Sequence, residues 1–390
     1  MKQKTFIKIG IISILVVGVT TILIRMFTIP TDVVLIKTLK TPDLPEISEL
    51  LSGNFRQKAV SLDGKIIQGT NQTPQPTAST AKMILGLAIM KEKPFEKGTS
   101  GENITITPEF FNRYLWYLTH NGSVTKVALG EEISQYDALA SVFLASSNNL
   151  ADNLAIWAFG SLENYQKYAT TMLQEMGITD TSIGTDASGY NESTTSTAED
   201  LARIAAELLK NPVLKEIVGL KTHSVPVAGE LTNTNKILGD ILNHDSAVIG
   251  VKTGYIGDLS GYNLISAYEI AGHTVTLALL GADTREASFI GSKDELMRLS
   301  QEITPTTVVN QDETIGYYET WWNGKHEIKS DSSVTVVGIK NDLLETKLSD
   351  TELKIALNGE EYSSKTSHET FSDSPTIWER FLHVFGWKHD

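Results

Sequence analysis

The sequence predicts an α+β protein, with helices and an antiparallel sheet in one domain and a small all-β domain after it. Residues 83–90 are almost wholly apolar but too short to cross a membrane, which predicts a buried helix. Residues 261–268 and 273–280 are strand-like and joined by a short turn, which predicts an antiparallel hairpin. After residue 303, short β-like runs are punctuated by Asn-Gly turns, which predicts the second domain.

Composition narrows the possible functions. The chain has 390 residues, 41% hydrophobic and 21% charged, which is typical of a globular protein with room for two domains. A net charge of −14 without a basic cluster beyond the first residues argues against nucleic acid as a partner. There is no cysteine, and the eight histidines lack metal-ligand spacing, so we expect neither a metal nor another cofactor.

The amino-terminal segment, residues 1–30, has the pattern of an export signal. Three lysines precede an apolar run at residues 9–24, which places the lysines in the cytoplasm. We find no small-x-small cleavage site and therefore favour an uncleaved single-pass anchor in the plasma membrane over a removed signal peptide. Residues 31–54, through which prolines are spread, are interpreted as a stalk leading to an extracytoplasmic domain.

The first chemical motif is Ser79-x-x-Lys82, at the start of the predicted buried helix. Residues three apart share one face of a helix, and backbone N–H groups in its first turn have no helical partner. A serine oxygen there can attack a carbonyl, and a neutral lysine can accept its proton. The same spacing at Ser123 and Lys126 follows a turn and precedes no buried helix, so the spacing by itself is weakly specific.

A second candidate follows the helical stretch at residues 133–143. In Ser146-Ser147-Asn148 a serine could relay a proton, and an asparagine amide could hold a substrate carbonyl and a lysine together. Serine and asparagine are common in turns, so this signal is weak alone. The polar loop at residues 184–200, with Ser196 or Thr197 as a helix cap, is interpreted as structural.

The third candidate, Lys252-Thr253-Gly254-Tyr255, ends an apolar run just before the predicted hairpin. On an edge strand, Lys252 and Thr253 can bind a substrate carboxylate. Gly254 lets the backbone come close to the substrate, and the Tyr255 N–H could be a second oxyanion donor beside that of Ser79.

The three motifs occur in one order, and together they match the set described for penicillin-binding proteins and class A β-lactamases. Residues 55–302 resemble a low-molecular-mass penicillin-binding protein, a serine-type D-alanyl-D-alanine carboxypeptidase similar to peptidase family S11. The resemblance implies a penicillin-binding/β-lactamase-like antiparallel sheet flanked by helices. It also implies an active site between the sheet edge and an all-helical subregion.

The same resemblance implies roles for the motif residues. Ser79 is the expected acylated nucleophile and Lys82 its general base, kept neutral by burial and by the charge of Lys252. Ser146 is expected to pass a proton to the leaving amine, and Asn148 to orient the substrate. The residues expected to hold the terminal carboxylate of a peptidoglycan stem peptide, or to lie against it, are Lys252, Thr253, Gly254 and Tyr255.

Arg285 is a candidate for a further carboxylate-binding residue, with an ordinary surface arginine as an equal alternative. β-Lactam antibiotics are expected to acylate Ser79 and to leave slowly. One alternative is a class A-like β-lactamase, which needs a deacylating glutamate, for which Glu192 is a possible occupant. Another is a catalytically silent peptidoglycan-binding protein. The residues do not distinguish carboxypeptidase from endopeptidase or weak transpeptidase activity.

The carboxy-terminal part is predicted as a small β domain at residues 303–372, with Trp321 and Trp322 in its core. Residues 373–390 predict a short amphipathic helix, because apolar residues fall on one face after a cap and a proline. Contact with the membrane and packing onto the β domain are equal alternatives for this helix.

Overall fold

The computed structural model divides the chain into two compact units, one of which is formed by two separate segments. The first unit is Ile47–Thr304, and the second combines Met1–Glu46 with Pro305–Asp390. The residues that the structure describes are 2–51, 53–368, 370–372 and 374–387.

Helices and strands alternate irregularly along the chain. The helices are α1 (Lys2–Thr28), α2 (Lys82–Glu92), α3 (Pro108–Thr119), α4 (Gln135–Leu144), α5 (Asn148–Phe159), α6 (Leu162–Glu175), α7 (Ala198–Lys210), α8 (Pro212–Val218), α9 (Arg285–Glu302) and α10 (Ile377–Val384), with a 3₁₀ turn at Ala78–Ala81. The strands are β1 (Val34–Lys37), β2 (Gln57–Leu62), β3 (Lys65–Thr70), β4 (Gln75–Pro76), β5 (Asn103–Thr105), β6 (Glu132–Ser134), β7 (Thr195–Ser196), β8 (Thr222–Val225), β9 (Gly229–Thr232), β10 (Gly250–Gly254), β11 (Tyr262–Ile270), β12 (His273–Ala282), β13 (Thr306–Val309), β14 (Thr314–Thr320), β15 (Gly324–Ser330), β16 (Val334–Val336), β17 (Leu344–Leu348), β18 (Glu352–Leu357) and β19 (Glu360–His368).

The first unit is organised around a five-stranded antiparallel sheet with the strand order β10-β11-β12-β2-β3. The predicted hairpin is confirmed as β11 and β12. Successive residues of these two strands are buried, so both faces of the sheet are covered. Helix α7 packs against β12 and β2, and α9 against β11 and β12. The α+β class predicted from the sequence is confirmed.

Helix α2 is the predicted buried helix, and it lies among the helices of the all-helical subregion. All of its residues from Met83 to Gly86 are buried, and it packs against α4, α5, α6 and α7. A side chain at Gly86 would lie 2.7 Å from the ring of Phe143, so only glycine lets α4 approach here. The short ladder between β4 and β7 fixes the chain just before Ser79.

The second unit contains a six-stranded sheet with the order β1-β14-β15-β19-β18-β17. The structure differs here from the stalk that we expected at residues 31–54. Val34–Lys37 forms an edge strand antiparallel to β14, and Leu39 is buried in the core of the β unit. The prolines predicted an extended spacer, but the short apolar run between them pairs with a strand more than 270 residues away in sequence. Trp322 is buried, as predicted, and Trp321 is half-buried.

Two helices of the second unit carry exposed apolar surface. Residues 10–28 of α1 are long and apolar enough to cross a membrane, a statement that rests on length and composition alone. The predicted amphipathic helix forms as α10, with Thr376 and Glu379 in a reciprocal cap, and it packs against α1. Of the segment predicted for this helix, Asp373 and residues 388–390 lie outside the described residues.

Candidate active site

Ser79 lies in the 3₁₀ turn that leads directly into α2, and Lys82 is the first residue of that helix. The Lys82 Nζ lies 2.9 Å from the Ser79 Oγ. Ser79 is half-buried, so its hydroxyl remains reachable, whereas Lys82 is completely buried. No side chain caps this helix start. The Thr80 N–H donates to the Thr77 carbonyl, whereas the Ser79 N–H makes none of the hydrogen bonds found among the described residues and is available to a developing negative charge.

The surroundings of the Lys82 amine are suited to its neutral form. Besides contacting Ser79, the Nζ donates to the Asn148 Oδ1 at 2.7 Å and to the Ser188 carbonyl at 2.6 Å. A neutral amine has two hydrogens for these two acceptors, which leaves its lone pair for the Ser79 hydroxyl. Burial lowers the pKa of Lys82 to about 7, although the carboxylates of Asp186 and Asp152 act in the opposite direction. Such an amine can accept a proton near neutral pH.

The second motif reaches the same pocket through Asn148, the first residue of α5. Its backbone N–H donates to the Ser123 carbonyl at 2.8 Å, which ties the loop after α3 to the site. Ser146, in the turn between α4 and α5, is buried and has a left-handed backbone with φ of 57°. Ser146 is thus two residues from Asn148, which accepts a hydrogen bond from Lys82. Its role as a proton relay stays a prediction.

The third motif lies on β10, the edge strand of the sheet. A side chain at Gly254 would lie 3.2 Å from the Ser79 backbone nitrogen and 3.0 Å from the Thr77 carbonyl oxygen. Glycine therefore gives β10 room to run beside the 3₁₀ turn, whereas we expected it to make room for the substrate. Tyr255 follows immediately, and its half-exposed ring stacks on Tyr262 with centroids 4.1 Å apart.

Lys252 is a second buried lysine in the pocket. Only 1% of its surface is exposed, and its Nζ donates to the Thr253 carbonyl at 3.0 Å. Burial, and then the positive charge of Lys82, hold the pKa of Lys252 well below its usual range. Strand β10 packs against the 3₁₀ turn that carries Ser79, so the first and third motifs converge.

Arg285, the remaining predicted site residue, begins α9, and its exposed side chain makes none of the hydrogen bonds or ion pairs found among the described residues. A role in binding a substrate carboxylate therefore stays a prediction.

The loop that we interpreted as structural contributes directly to the site. Ser188 supplies a carbonyl to Lys82, and Asp186 accepts hydrogen bonds from the backbone N–H groups of Ser188 and Tyr190. Gly189 has φ of 69°, and a side chain there would lie 2.0 Å from the Ala78 carbonyl oxygen. The Asp-x-Ser-Gly run signals a tight turn in the sequence, but not what the turn faces. Its expected cap is confirmed, because the Thr197 side chain accepts from the Asp200 N–H.

Two further residues near the site were missed. Asp152 is buried on α5, accepts from the Ala187 N–H at 2.9 Å and thereby fixes the loop under Lys82. Thr234 shares a hydrogen bond of 2.7 Å with the Thr253 hydroxyl, and its N–H donates to the Leu144 carbonyl just before Ser146. No motif marks either residue in the sequence.

A reachable serine, a buried lysine of lowered pKa and a second lysine on a sheet edge form a site of the serine-peptidase class that uses a lysine base. The sequence model of D-alanyl-D-alanine carboxypeptidases, peptidase family S11, matches residues 60–284. The match covers more than half of the chain, which therefore belongs to this family.

Two curated relatives are similar over part of their length. D-alanyl-D-alanine carboxypeptidase DacF of Bacillus subtilis is 28% identical over 167 residues, 42% of this chain and 42% of the relative. D-alanyl-D-alanine carboxypeptidase DacC of Escherichia coli is 26% identical over 214 residues, 53% of this chain and 50% of the relative. The chain thus spans about half the length of these relatives, or less.

Solved structures share the fold at low sequence identity. Penicillin-binding protein 5 from Haemophilus influenzae has a TM-score of 0.58 at 18% identity, covering 85% of this chain and 98% of that one. A point mutant of the DD-transpeptidase from Streptomyces K15 has a TM-score of 0.55 at 20% identity, covering 64% and 99%. Ampicillin-bound penicillin-binding protein D2 from Listeria monocytogenes has a TM-score of 0.53 at 21% identity, covering 64% and 99%. At this identity the likeness establishes the fold alone.

Proposed function

We propose that this protein is a serine-type D-alanyl-D-alanine carboxypeptidase that removes the terminal D-alanine from peptidoglycan stem peptides. The observation that carries the proposal is the buried Lys82 amine, with a pKa lowered to about 7, at 2.9 Å from the Ser79 hydroxyl. A serine is a weak nucleophile until a neighbouring base takes its proton. The distance and the lowered pKa of the Lys82 amine both suit it to act as that base.

The first half of the reaction acylates Ser79. Its Oγ attacks the carbonyl carbon of the penultimate D-alanine while Lys82 takes the hydroxyl proton. The backbone N–H groups of Ser79 and Tyr255 stabilise the oxyanion. The peptide C–N bond then breaks, and the leaving D-alanine amine receives a proton through Ser146.

The second half restores the enzyme. Water attacks the ester carbonyl while Lys82 accepts a proton from that water. The bond between the Ser79 Oγ and the carbonyl carbon then breaks, Lys82 returns the proton to the Ser79 Oγ, and the shortened peptide leaves with a free carboxylate. Asn148 keeps Lys82 and the substrate carbonyl aligned throughout, since its Oδ1 already accepts from the lysine.

Substrate selection resides in the edge strand. Lys252 is buried and its pKa is lowered, so an incoming carboxylate supplies the partner that its charged form lacks. Thr253 adds a hydroxyl beside it, and Arg285 is a further candidate for the same carboxylate. A β-lactam presents a similarly placed carboxylate and a strained amide, and it acts as an inhibitor by acylating Ser79.

The proposed location is the extracytoplasmic face of the plasma membrane, with α1 as a single-pass anchor. Three lysines at the amino-terminal end of the helix support this orientation. The exposed apolar side chains of α10, among them Ile377 and Trp378, support a second contact with the membrane surface.

The β-lactamase alternative has little support in this site. Glu192, the possible deacylating glutamate, is exposed, and it makes no hydrogen bond to Ser79 or Lys82 among the described residues. A catalytically silent binding protein would not need a lysine with a pKa lowered to about 7 beside the Ser79 hydroxyl.

Two measurements on the full chain test the proposal. Mass spectrometry of muropeptides should show loss of one D-alanine from pentapeptides, and a fluorescent penicillin should label the protein at Ser79. Ser79→Ala should abolish both, whereas Ser100→Ala, which changes an exposed serine of the same unit, should abolish neither. Rapid turnover of benzylpenicillin would instead favour a β-lactamase, and binding of muropeptides without a shortened product would favour a silent binding protein.

A further inference from the structure

A cavity of about 500 Å³ lies beside the active site and has no role in the reaction above. It is bordered by α3, by α5 and by the loop that carries Asp186. A volume of this size is typical of small-molecule sites. Asp152 and Asp186, whose charges act on Lys82, also line this cavity, so it adjoins the catalytic pocket.

One wall of the cavity is a fixed aromatic surface. Trp116 leaves 47% of its surface exposed, yet its indole stacks on His120 with ring centroids 4.2 Å apart. The edge of Tyr190 contacts the same indole, and the Tyr190 hydroxyl donates to the His120 carbonyl at 2.7 Å. The indole is thus held in place with an open apolar face, which offers contact area at little entropic cost.

The other wall offers planar polar groups of both signs. Arg113 reaches Asp152 and Glu109 only at 3.5 Å each, and its buried Nε has no hydrogen-bond partner among the described residues. The exposed amides of Asn112 and Asn191 lie beside it. The Arg113 side chain is a quarter exposed, so the outer N–H groups of its guanidinium can donate to a ligand acceptor.

This combination discriminates between ligand classes. A simple ammonium ligand would find only Glu109, which faces the Arg113 guanidinium, because Asp152 and Asp186 already accept hydrogen bonds from Tyr117 and from backbone N–H groups. A simple anion would meet Glu109 beside Arg113. A saccharide fits better, because its C–H face packs on an aromatic ring while its hydroxyl and acetamido groups both donate and accept.

We propose that this cavity, the Trp116 cavity, binds an N-acetylated sugar of the glycan to which the stem peptide is attached. The proposal rests on the function proposed above, because only then does the substrate carry a sugar. An extended peptide of four to five residues spans about 13 to 18 Å. The turn at residues 186–190 borders both the cavity and Lys82, so a peptide of this length can join the two sites.

Calorimetric titration of the full chain with a peptide-free trisaccharide of β-1,4-linked N-acetylglucosamine tests binding directly. Trp116→Ala should weaken its affinity about tenfold, the effect of losing one aromatic contact. Trp116→Phe should lose less. Leu118→Ala, an exposed change on the same helix outside the cavity, should bind as the unmodified protein does. Absence of trisaccharide binding, or equal binding by Trp116→Ala, would overturn the proposal.

Kinetics supply a second readout. The kcat/KM for a pentapeptide linked to its disaccharide should exceed that for the free pentapeptide, and Trp116→Ala should remove this preference while Leu118→Ala retains it. A preference that survives Trp116→Ala would refute the site. In another outcome, the protein binds the trisaccharide through Trp116 and yet releases no D-alanine from pentapeptides. That result would contradict the proposed function but support the sugar site.

Discussion

At the scale of single residues, the site depends on Lys82. Its amine is held by three partners and by burial, and the acids nearby only moderate the effect of burial on its pKa. We expected burial and the charge of Lys252 together to keep Lys82 neutral. Burial is the main cause of the lowered Lys82 pKa, and repulsion between the two ammonium charges is a second cause of the lowered Lys252 pKa.

The pKa of Lys82 leads to a pH prediction. Below about pH 7 the amine is mainly charged and cannot act as a base, whereas above it the amine is mainly neutral. The rate constant for acylation by a fluorescent penicillin should therefore rise about tenfold between about pH 6 and pH 8 and then level off. Lys82→Arg should abolish acylation, because a guanidinium stays charged. A flat pH profile would contradict this role of Lys82.

The buried carboxylate of Asp152 should shift that profile. Its negative charge raises the pKa of Lys82, so Asp152→Asn should move the midpoint to lower pH. The amide keeps an oxygen that can accept from the Ala187 N–H, so the loop should stay in place. Asp245→Asn, at an exposed acid of the same unit, serves as the control and should leave the midpoint where it was.

At the scale of elements, the reactive centre is assembled from short segments that meet at the start of α2. Strand β10 approaches the 3₁₀ turn at Gly254, and the loop before α7 approaches it at Gly189. At Gly189 a side chain would collide with the backbone beside Ser79, and at Gly254 it would make tight contacts of 3.0 and 3.2 Å with that backbone. The helix start is thus held from two directions, which fixes the Ser79 hydroxyl relative to its base.

Gly189→Ala tests this arrangement. Its side chain would lie 2.0 Å from the Ala78 carbonyl oxygen, and the left-handed backbone costs a further ~1–2 kcal/mol. We expect a lower melting temperature and a strong loss of penicillin labelling. Gly98→Ala is a matched control, since its backbone is also left-handed but a side chain there meets open space. Equal labelling of the two variants would show that the contact at Gly189 is dispensable.

At the scale of the whole molecule, the chain leaves the β unit and returns to it. Val34–Lys37 pairs with β14, and Leu39 packs into the same core, although the first unit separates these segments in sequence. The segment that we expected to be a spacer is therefore part of a folded unit.

Shortened chains distinguish a strand from a spacer. A chain beginning at residue 31 should lose the contacts of α1 with α10 and the Pro30 carbonyl to which Trp321 donates, but it should keep the transition of the six-stranded sheet, because β1 and Leu39 are retained. A chain beginning at residue 47 should lose at least the burial of Leu39, about 1.5–3 kcal/mol, together with one strand of hydrogen bonds. Calorimetric melting of both chains measures the difference, and identical transitions for the β unit would support a dispensable stalk.

Much of the protein could be predicted from local sequence. The apolar run after Ser79 predicts a buried helix, and the alternating runs after Tyr255 predict a hairpin. The first two motifs contain Ser79, Lys82 and Asn148, whose side chains lie within hydrogen-bond distance of one another through the Lys82 amine. These predictions succeed because helix and strand periodicity, turn residues and motif spacing are properties of neighbouring residues.

Only the tertiary structure decided what depends on distant neighbours. The lowered pKa of Lys82 exists because several helices enclose it, and the Ser188 carbonyl reaches it from 106 residues away. The pairing of β1 with β14 likewise requires partners that no local pattern reveals. Sequence alone determines which chemical groups are present and in what order, whereas burial and long-range contact, which set their charge and orientation, arise only when the chain folds.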